Sequence, residues 1–189
     1  MGKAIAEAEP EAPLAAAAVR LIALMGSRRQ EVVKLKRAEL DAAGSCLHLG
    51  DSKAERSTRA VGARALAILK DLAGEDSKKV WLFPNATGKA PADLKKAIAT
   101  IFDAAGLKDA RSHALRRTFA TVGDRLGYSD PIVGALLGHA ATGTTQVHYV
   151  RRPDAALIAA ATRISDRIAS AMEGKAQAHV VDIVTGKAI

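Results

Sequence analysis

Basic side chains in this sequence stand next to helix ends and turns, where a rigid backbone can aim them at an anion. In "LMGSRRQEV", Arg28 follows a Gly-Ser break, and Glu31 lies one helical turn further on, where its carboxylate can orient that arginine. In "HALRRTFAT", a spacing of three places His113 and Arg116 on one helix face, pointing away from the core. Guanidinium groups bind oxyanions through paired hydrogen bonds, and histidine transfers protons near neutral pH. These residue types therefore suit chemistry on an oxyanion.

Three further residues could contribute to the same site. Lys53 lies in a charged loop between two short extended runs, and Gly138 permits a sharp exit that leaves His139 at the end of a short helix. Tyr149 follows ten residues later, in a chain with only two tyrosines, and a tyrosine hydroxyl can act as a nucleophile. Taken singly, each residue has an ordinary structural explanation: a solvated charge, a helix-end interaction or a hydrogen-bonded tyrosine. The combination is what indicates a site.

The order of these residues resembles that of the tyrosine recombinases, also called the phage integrase family. "LMGSRRQEV" is similar to the first arginine box, "GDSKAERSTRAV" to the strand-loop-strand with the active-site lysine, "HALRRTFAT" to the second arginine box and "ALLGHA" to the histidine box. The resemblance spans roughly residues 13–173. The site residues that it implies are Arg28, Lys53, His113, Arg116, His139 and Tyr149, with Glu31 in support.

The resemblance implies a site-specific DNA recombinase or integrase that cuts a strand by transesterification. Tyr149 is implied as the nucleophile, which becomes joined to the 3′ phosphate. Arg28 and Arg116 would hydrogen-bond the two non-bridging oxygens, because a guanidinium donates two bonds at fixed geometry and stays charged. Lys53, on a mobile hairpin, would protonate the departing 5′ oxygen.

The two histidines, His113 and His139, are implied to hydrogen-bond the phosphate or to handle the tyrosine proton. The covalent intermediate keeps the energy of the broken bond, so that rejoining needs no nucleotide triphosphate. The sequence contains no G-x-x-x-x-G-K-[ST] loop and no tight group of carboxylates for two metal ions. We therefore expect no cofactor and a metal-independent reaction.

The sequence departs from the family pattern at three points. The interval from the Leu-Gly-His histidine to Tyr149 is ten residues where nine is common, and His148 stands at the usual place. Because histidine does not readily replace tyrosine in this chemistry, Tyr149 is assigned, and the preceding loop is expected to absorb one residue. Ala114 stands where Asp is common. The sequence does not include the family's amino-terminal DNA-clamping domain, so we expect this chain to correspond to the catalytic half alone.

Apolar spacing and turn residues predict a mainly α-helical (α+β) domain with a small antiparallel sheet. Helices are expected at 13–25, 28–40, 63–74, 91–105, 113–127, 130–137, 142–149 and 153–173, and strands at 46–50, 57–61 and 80–83. Residues 1–12 are acidic and Ala/Pro-rich, which indicates a tail or a linker remnant. Residues 13–173 form the expected catalytic domain. Residues 174–189 are expected either to dock on a neighbouring subunit or to be a frayed end.

Composition points to a nucleic-acid partner. The formal net charge is +8, which favours a polyanion, either nucleic acid or an acidic membrane surface, over a basic surface kept only for solubility. With 3% aromatic residues, a base-stacking platform for single strands is disfavoured, and double-stranded DNA is the simpler partner. The lone Cys46 excludes an internal disulfide and a zinc cluster built from several thiolates, and it suits a reducing compartment. No apolar run is long enough to span a bilayer, so we expect a cytoplasmic protein.

Two other functions fit the same residues. One is a DNA-binding or regulatory integrase fragment without recombination activity, and the other is a type IB topoisomerase-like nicking-closing enzyme. By resemblance, an active member works as a homotetramer on two duplexes, and a monomer is compatible with the free protein.

Overall fold

The computed structural model describes residues 1–51, 54–76, 78–107, 112–139 and 153–175. These residues form eight α-helices and a three-stranded antiparallel sheet, which confirms the expected mainly helical fold. The helices are α1 (Gly2–Ala8), α2 (Pro13–Met25), α3 (Arg29–Val33), α4 (Ala63–Ala73), α5 (Lys95–Ala104), α6 (Ser112–Arg125), α7 (Asp130–Leu137) and α8 (Ala155–Met172). The strands are β1 (Leu40–Asp41), β2 (Cys46–Asp51) and β3 (Ala54–Ala60).

Helix α2 lies at the centre of the core. Apolar residues cover nearly its whole circumference, and Val19, Leu21 and Ile22 are fully inaccessible to solvent. It packs against α1, α3, α4, α5, α6 and α8. Pro13 opens the helix with a preset φ, and Gly26 ends it in the left-handed conformation, as the sequence predicts. Because six helices pack against α2, the position of its C-terminus is fixed, and so is the start of the backbone that follows it.

Helix α1 lies within the segment expected to be a tail or linker remnant. Its Ala4 and Ile5 are buried, and the helix contacts α2, α5 and α8. Burial of one isoleucine side chain stabilises the fold by roughly 2 kcal/mol. The segment is otherwise acidic and rich in alanine, so its composition does not indicate that Ile5 is buried. Residues 2–8 are thus part of the packed core in this structure, unlike a tail.

The single helix predicted over residues 28–40 is wrong. Helix α3 ends at Val33, and a 3₁₀ turn at Arg37–Glu39 leads into β1. The Leu35 carbonyl accepts from the Leu82 N–H at 2.9 Å, so it is not available to a continuing helix. The helical spacing of the segment is therefore overridden by a backbone partner far along the chain.

The third strand predicted at residues 80–83 is wrong as well. Around these residues the structure has an isolated bridge from Lys36 to Trp81 and a hydrogen bond of 2.9 Å from the Arg37 N–H to the Val80 carbonyl, and no strand of the sheet. The third strand is β1, which pairs with β2. The run "VWLF" is apolar because Leu82 and Phe83 are buried in the core.

The sheet has the strand order β1-β2-β3, and it confirms the strands predicted at 46–50 and 57–61. Leu47 lies opposite Arg59, and His48 lies opposite Thr58. Because successive side chains in a strand point to opposite faces, Leu47 and Arg59 share the face that is buried, at 2% and 6% exposed. His48 and Thr58 lie on the other face. The two faces of β2 and β3 therefore have different surroundings.

The remaining predicted helices agree with α4 to α8 to within a few residues at each end. The helical piece expected at 142–149 and the end segment 176–189 lie outside the described residues. Helix α8 buries Ala161, Ile164 and Ile168. Among the helices of the described ranges, none is long and apolar enough to cross a membrane.

Candidate active site

Arg28 lies at the junction of α2 and α3, with its side chain 57% exposed. Glu31 holds it in two ways. Its Oε2 accepts from the Arg28 backbone N–H at 2.8 Å, which caps α3, and its Oε1 accepts from Arg28 Nη1 at 2.8 Å. One carboxylate thus orients both the backbone and the guanidinium of Arg28, as the one-turn spacing predicts.

The same carboxylate also binds an arginine that the sequence analysis missed, Arg59 on β3. Arg59 Nη1 donates to Glu31 Oε2 and Arg59 Nη2 donates to Glu31 Oε1, both at 2.9 Å, in a parallel bidentate pair. The Arg59 side chain is only 7% exposed. Glu31 therefore joins the α2–α3 junction to the strand that leads away from the hairpin loop.

The pKa of Glu31 reflects this arrangement. Burial raises the pKa, but the hydrogen bonds from Arg59 and from the backbone and side chain of Arg28 outweigh burial and lower it from 4.5 to about 2. A lowered folded-state pKa means that the ionised carboxylate stabilises the fold above pH 4.5, and that this stabilisation is lost as the pH falls toward 2. The shift corresponds to about 3 kcal/mol.

Replacement of Glu31 by Gln is expected to lower the free energy of unfolding by about 3 kcal/mol at neutral pH, because Arg59 then stays buried without a counter-charge. The difference from the unsubstituted protein should shrink as the pH falls from 4.5 toward 2, where Glu31 itself becomes neutral. Urea unfolding followed by circular dichroism across this pH range measures both effects. Glu39→Gln is the matched control, since Glu39 caps the 3₁₀ turn through the Lys36 N–H at 2.8 Å. A loss of equal size in both variants would contradict a special role of the ion pair.

Arg116 on α6 ties together the ends of two other helices. Its Nη1 donates to the Gly26 carbonyl at 2.7 Å, and its Nη2 donates to the Leu137 carbonyl at 2.9 Å. Gly26 follows the last residue of α2, and Leu137 is the last residue of α7, so both carbonyls lie at the negative end of a helix dipole. Arg116 is 5% exposed, and the expectation that it points away from the core is wrong. These two bonds use two of its five N–H donors.

Three guanidinium groups therefore lie near one carboxylate. The pKa of Arg116 is lowered by its burial and by the charges of Arg28 and Arg59, and Glu31 opposes this effect. Three positive charges against one negative charge leave the cluster formally cationic, so that the arginines repel one another. An anion at this place would relieve that repulsion.

His139 follows α7 as the sequence predicts. Gly138 is left-handed with φ 67°, the Gly138 N–H donates to Ala135 and the His139 N–H donates to Gly134 at 2.9 Å. A methyl group placed on Gly138 would overlap the Nε and Cζ atoms of Arg59. Both the backbone conformation and the closeness of Arg59 therefore require glycine here. His139 is exposed and directly follows Gly138, so the fixed turn sets where its side chain begins.

The structure thus brings together Arg28, Glu31 and Arg116 of the predicted site and adds Arg59. His113 is exposed in the first turn of α6, one turn before Arg116. Lys53 and Tyr149 lie outside the described residues, and their roles stay predictions.

A sequence signal for Arg59 existed. In a strand, residues 59 and 61 point to one face, and Val61 is apolar and buried. A charged residue whose side chain points to the buried face of a strand needs a partner of opposite charge. The signal does not identify Glu31 as that partner, because the two residues are 28 positions apart in the chain.

Comparisons with known proteins agree with the resemblance. The family model described as the phage integrase family matches residues 3–155, a range that begins in α1. The chain is 27% identical over 146 residues to prophage integrase IntF of Escherichia coli (strain K12), which covers 75% of this chain and 31% of that protein's length. The crystal structure of XerA recombinase resembles the fold with a TM-score of 0.59 at 22% identity, covering 94% of this chain and 62% of that chain. The chain therefore spans less than two thirds of the length of either protein.

Proposed function

The chain belongs to the phage integrase family, and we propose that it is the catalytic domain of a site-specific DNA recombinase that cuts and rejoins duplex DNA through a covalent 3′-phosphotyrosine. The observation that carries this proposal is a group of three arginines: Arg28 and Arg59 both bind the Glu31 carboxylate, and Arg116 binds the Gly26 carbonyl two residues before Arg28. The excess positive charge of this group suits the phosphodiester of a DNA backbone.

The arginines differ in how they serve the reaction. Arg28 is exposed and oriented by Glu31, so its remaining N–H groups are available to a phosphate oxygen. Arg116 is held by two carbonyls and keeps three further donors. Such preorganised donors stabilise a five-coordinate phosphorus more than the starting diester, because the transition state carries additional negative charge on its oxygens. Glu31 and Arg59 act as positioning residues.

Tyr149 is the proposed nucleophile. A phenol with a pKa near 10 is mostly protonated at neutral pH, and neighbouring guanidinium charges favour its ionised form. Its oxygen bonds to phosphorus while the bond from phosphorus to the 5′ oxygen breaks. In the proposed scheme Lys53 supplies the proton for that 5′ oxygen, and His113 or His139 accepts the phenol proton or hydrogen-bonds the phosphate. The reverse steps rejoin the strand without a nucleotide cofactor.

Double-stranded DNA is the proposed partner, bound through the backbone phosphates by a chain of net charge +8. We propose assembly as a homotetramer on two duplexes, with residues 174–189 docking on a neighbour, and a cytoplasmic location.

A set of nicked suicide duplexes, tiled across the DNA that flanks the gene, tests the proposal. After cleavage, the short piece beyond the nick diffuses away, and the protein stays covalently joined to the labelled strand. We expect a slow-migrating adduct that survives detergent. Binding to all duplexes without any adduct would instead support a DNA-binding fragment.

The same protein, incubated with two cleavable duplexes, separates a recombinase from a nicking-closing enzyme. Exchange of strands between the two duplexes is the expected result. Relaxation of supercoiled plasmid without exchanged products would favour the topoisomerase-like activity.

A further inference from the structure

Three different metal-ligating side chains converge on the sheet face that lies away from Arg59. Asp41 on β1 pairs with Cys46 on β2, and His48 lies two residues further along β2 on the same face. The Asp41 Oδ2 atom lies 3.9 Å from Cys46 Sγ and 3.6 Å from His48 Nε2, and the last two atoms are 3.7 Å apart. One atom from each residue thus forms a nearly equilateral triangle.

His48 and Asp41 each have a second polar atom, and a neighbouring group outside the triangle contacts it. His48 Nδ1 lies 3.2 Å from Thr58 Oγ1 on β3, and Asp41 Oδ1 accepts from the Gly44 N–H at 2.8 Å. Outer hydrogen bonds of this kind fix the ring orientation and tautomer of a metal-binding histidine. They leave His48 Nε2 and Asp41 Oδ2 directed at a common centre.

The triangle does not fit a proton relay. In a Cys-His-Asp relay, the thiol and the carboxylate use different ring nitrogens of the histidine. Here Cys46 and Asp41 both lie near Nε2, and Nδ1 faces Thr58. The Cys46 thiol donates to Asp41 Oδ2 in this arrangement, and a bound ion would replace that contact, with the thiol proton released to solvent.

The donor set and spacing suit zinc. Bonds of about 2.0 to 2.3 Å to S, N and O ligands place tetrahedral ligand atoms roughly 3.3 to 3.6 Å apart, so a contraction of a few tenths of an ångström brings this triangle to a bound geometry. Calcium and magnesium prefer oxygen ligands throughout. The His48 side chain is 42% exposed and Cys46 is fully buried, so solvent reaches the triangle from the His48 side.

We propose that Asp41, Cys46 and His48 form a binding site for a divalent ion of the zinc class, with three protein ligands and one solvent-facing position. The site lies on the sheet face opposite Arg59, so its three ligands are not members of the arginine cluster. A bound ion joins β1 to β2 and, through Thr58, braces β2 against β3.

Cobalt(II) is the probe, because a cysteine thiolate bound to it gives a charge-transfer band in the near ultraviolet. The reduced full chain, freed of metal with a chelator, is titrated with Co²⁺ without DNA. We expect this band to saturate at one equivalent and to disappear when Zn²⁺ is added. A titration without a thiolate band would overturn the proposal and leave the recombinase proposal untouched.

Variants separate a built site from chance binding. Cys46→Ser should remove the charge-transfer band, and His48→Gln should weaken Co²⁺ binding by more than tenfold. Thr58→Val keeps all three ligands, and loss of its outer contact should weaken binding by about tenfold to a hundredfold. His179→Gln and Asp103→Asn serve as controls with unchanged titrations. Equal binding by His48→Gln and the unsubstituted protein would contradict the assigned ligands.

A thermal readout checks the bracing effect independently of colour. Zn²⁺ should raise the Tm of the unsubstituted chain, because an ion that binds only the folded state stabilises it. It should leave the Tm of Cys46→Ser unchanged. An equal rise in both would show that zinc acts at another place and would overturn the proposal.

Discussion

Protein carrying Tyr149→Phe is expected to form no covalent adduct with a suicide duplex that traps the unsubstituted protein. The substitution removes the single oxygen that bonds to phosphorus and keeps the aromatic ring. Loss of a catalytic nucleophile costs on the order of a millionfold in kcat, which places the remaining reaction below detection. Duplex binding, measured by gel shift, should change little, since the proposed phosphate contacts come from arginines.

Two controls make the assignment specific. Tyr128→Phe alters the other tyrosine, which lies partly buried against the core beyond the end of α6, and it should leave adduct formation intact. His148→Ala alters the residue at the more usual spacing from His139 and should also retain the adduct. An adduct that persists in Tyr149→Phe would overturn the assignment. Its stability to acid would then separate a phosphotyrosine from an acid-labile phosphohistidine.

Replacement of Arg116 by Lys is expected to reduce the rate of adduct formation by about a hundredfold to a thousandfold. Removal of one preorganised hydrogen-bond donor to a charged transition state has an effect of this size in other enzymes. Lysine keeps the positive charge, but a single ammonium cannot reach the Gly26 and Leu137 carbonyls and also two phosphate oxygens. Single-turnover cleavage at saturating protein measures this loss. Duplex affinity should fall much less, because the lost donor acts mainly in the transition state.

Stability must be measured beside the rate, because Arg116 also fastens α2 to α7. A carbonyl left without its donor costs about 1 to 3 kcal/mol, so the variant is assayed well below its Tm. Arg117→Lys, on the exposed neighbouring position of α6, is the control and should cleave at the normal rate. If Arg116→Lys is less stable but its folded fraction cleaves normally, Arg116 has only a structural role.

The local elements with strong signals could be predicted from the sequence. Pro13 and Gly26 bound α2, and Pro131 and Gly138 lie at the two ends of α7, so both helices agree with the prediction. Their signals are local, since they depend on preset φ values and on a left-handed residue after the helix. Glu31 as the partner of Arg28 was predictable for the same reason, because residues three apart on a helix turn are neighbours.

Tertiary structure decided where α3 ends and which residues form the third strand, because neither depends on local sequence alone. The Leu35 carbonyl accepts a hydrogen bond from the Leu82 N–H, so it is not available to extend α3. The same bond holds the apolar run at 80–83 beside residue 35 and away from the sheet. A helical period describes one segment, and it carries no information about which distant backbone competes for the same hydrogen bonds.

The same reason explains the site. The period of α6 alone places Arg116 on a face away from Phe119, as on a solvated surface, yet Arg116 is buried because the carbonyl ends of α2 and α7 meet there. Arg59 likewise becomes a partner of Glu31 only when β3 packs beside the α2–α3 junction. The sequence by itself determined the family pattern, the helices with local end signals and the acidic partner of Arg28. Only the packing of distant elements decided which guanidinium groups share one carboxylate, because charges and carbonyls interact through space and not along the chain.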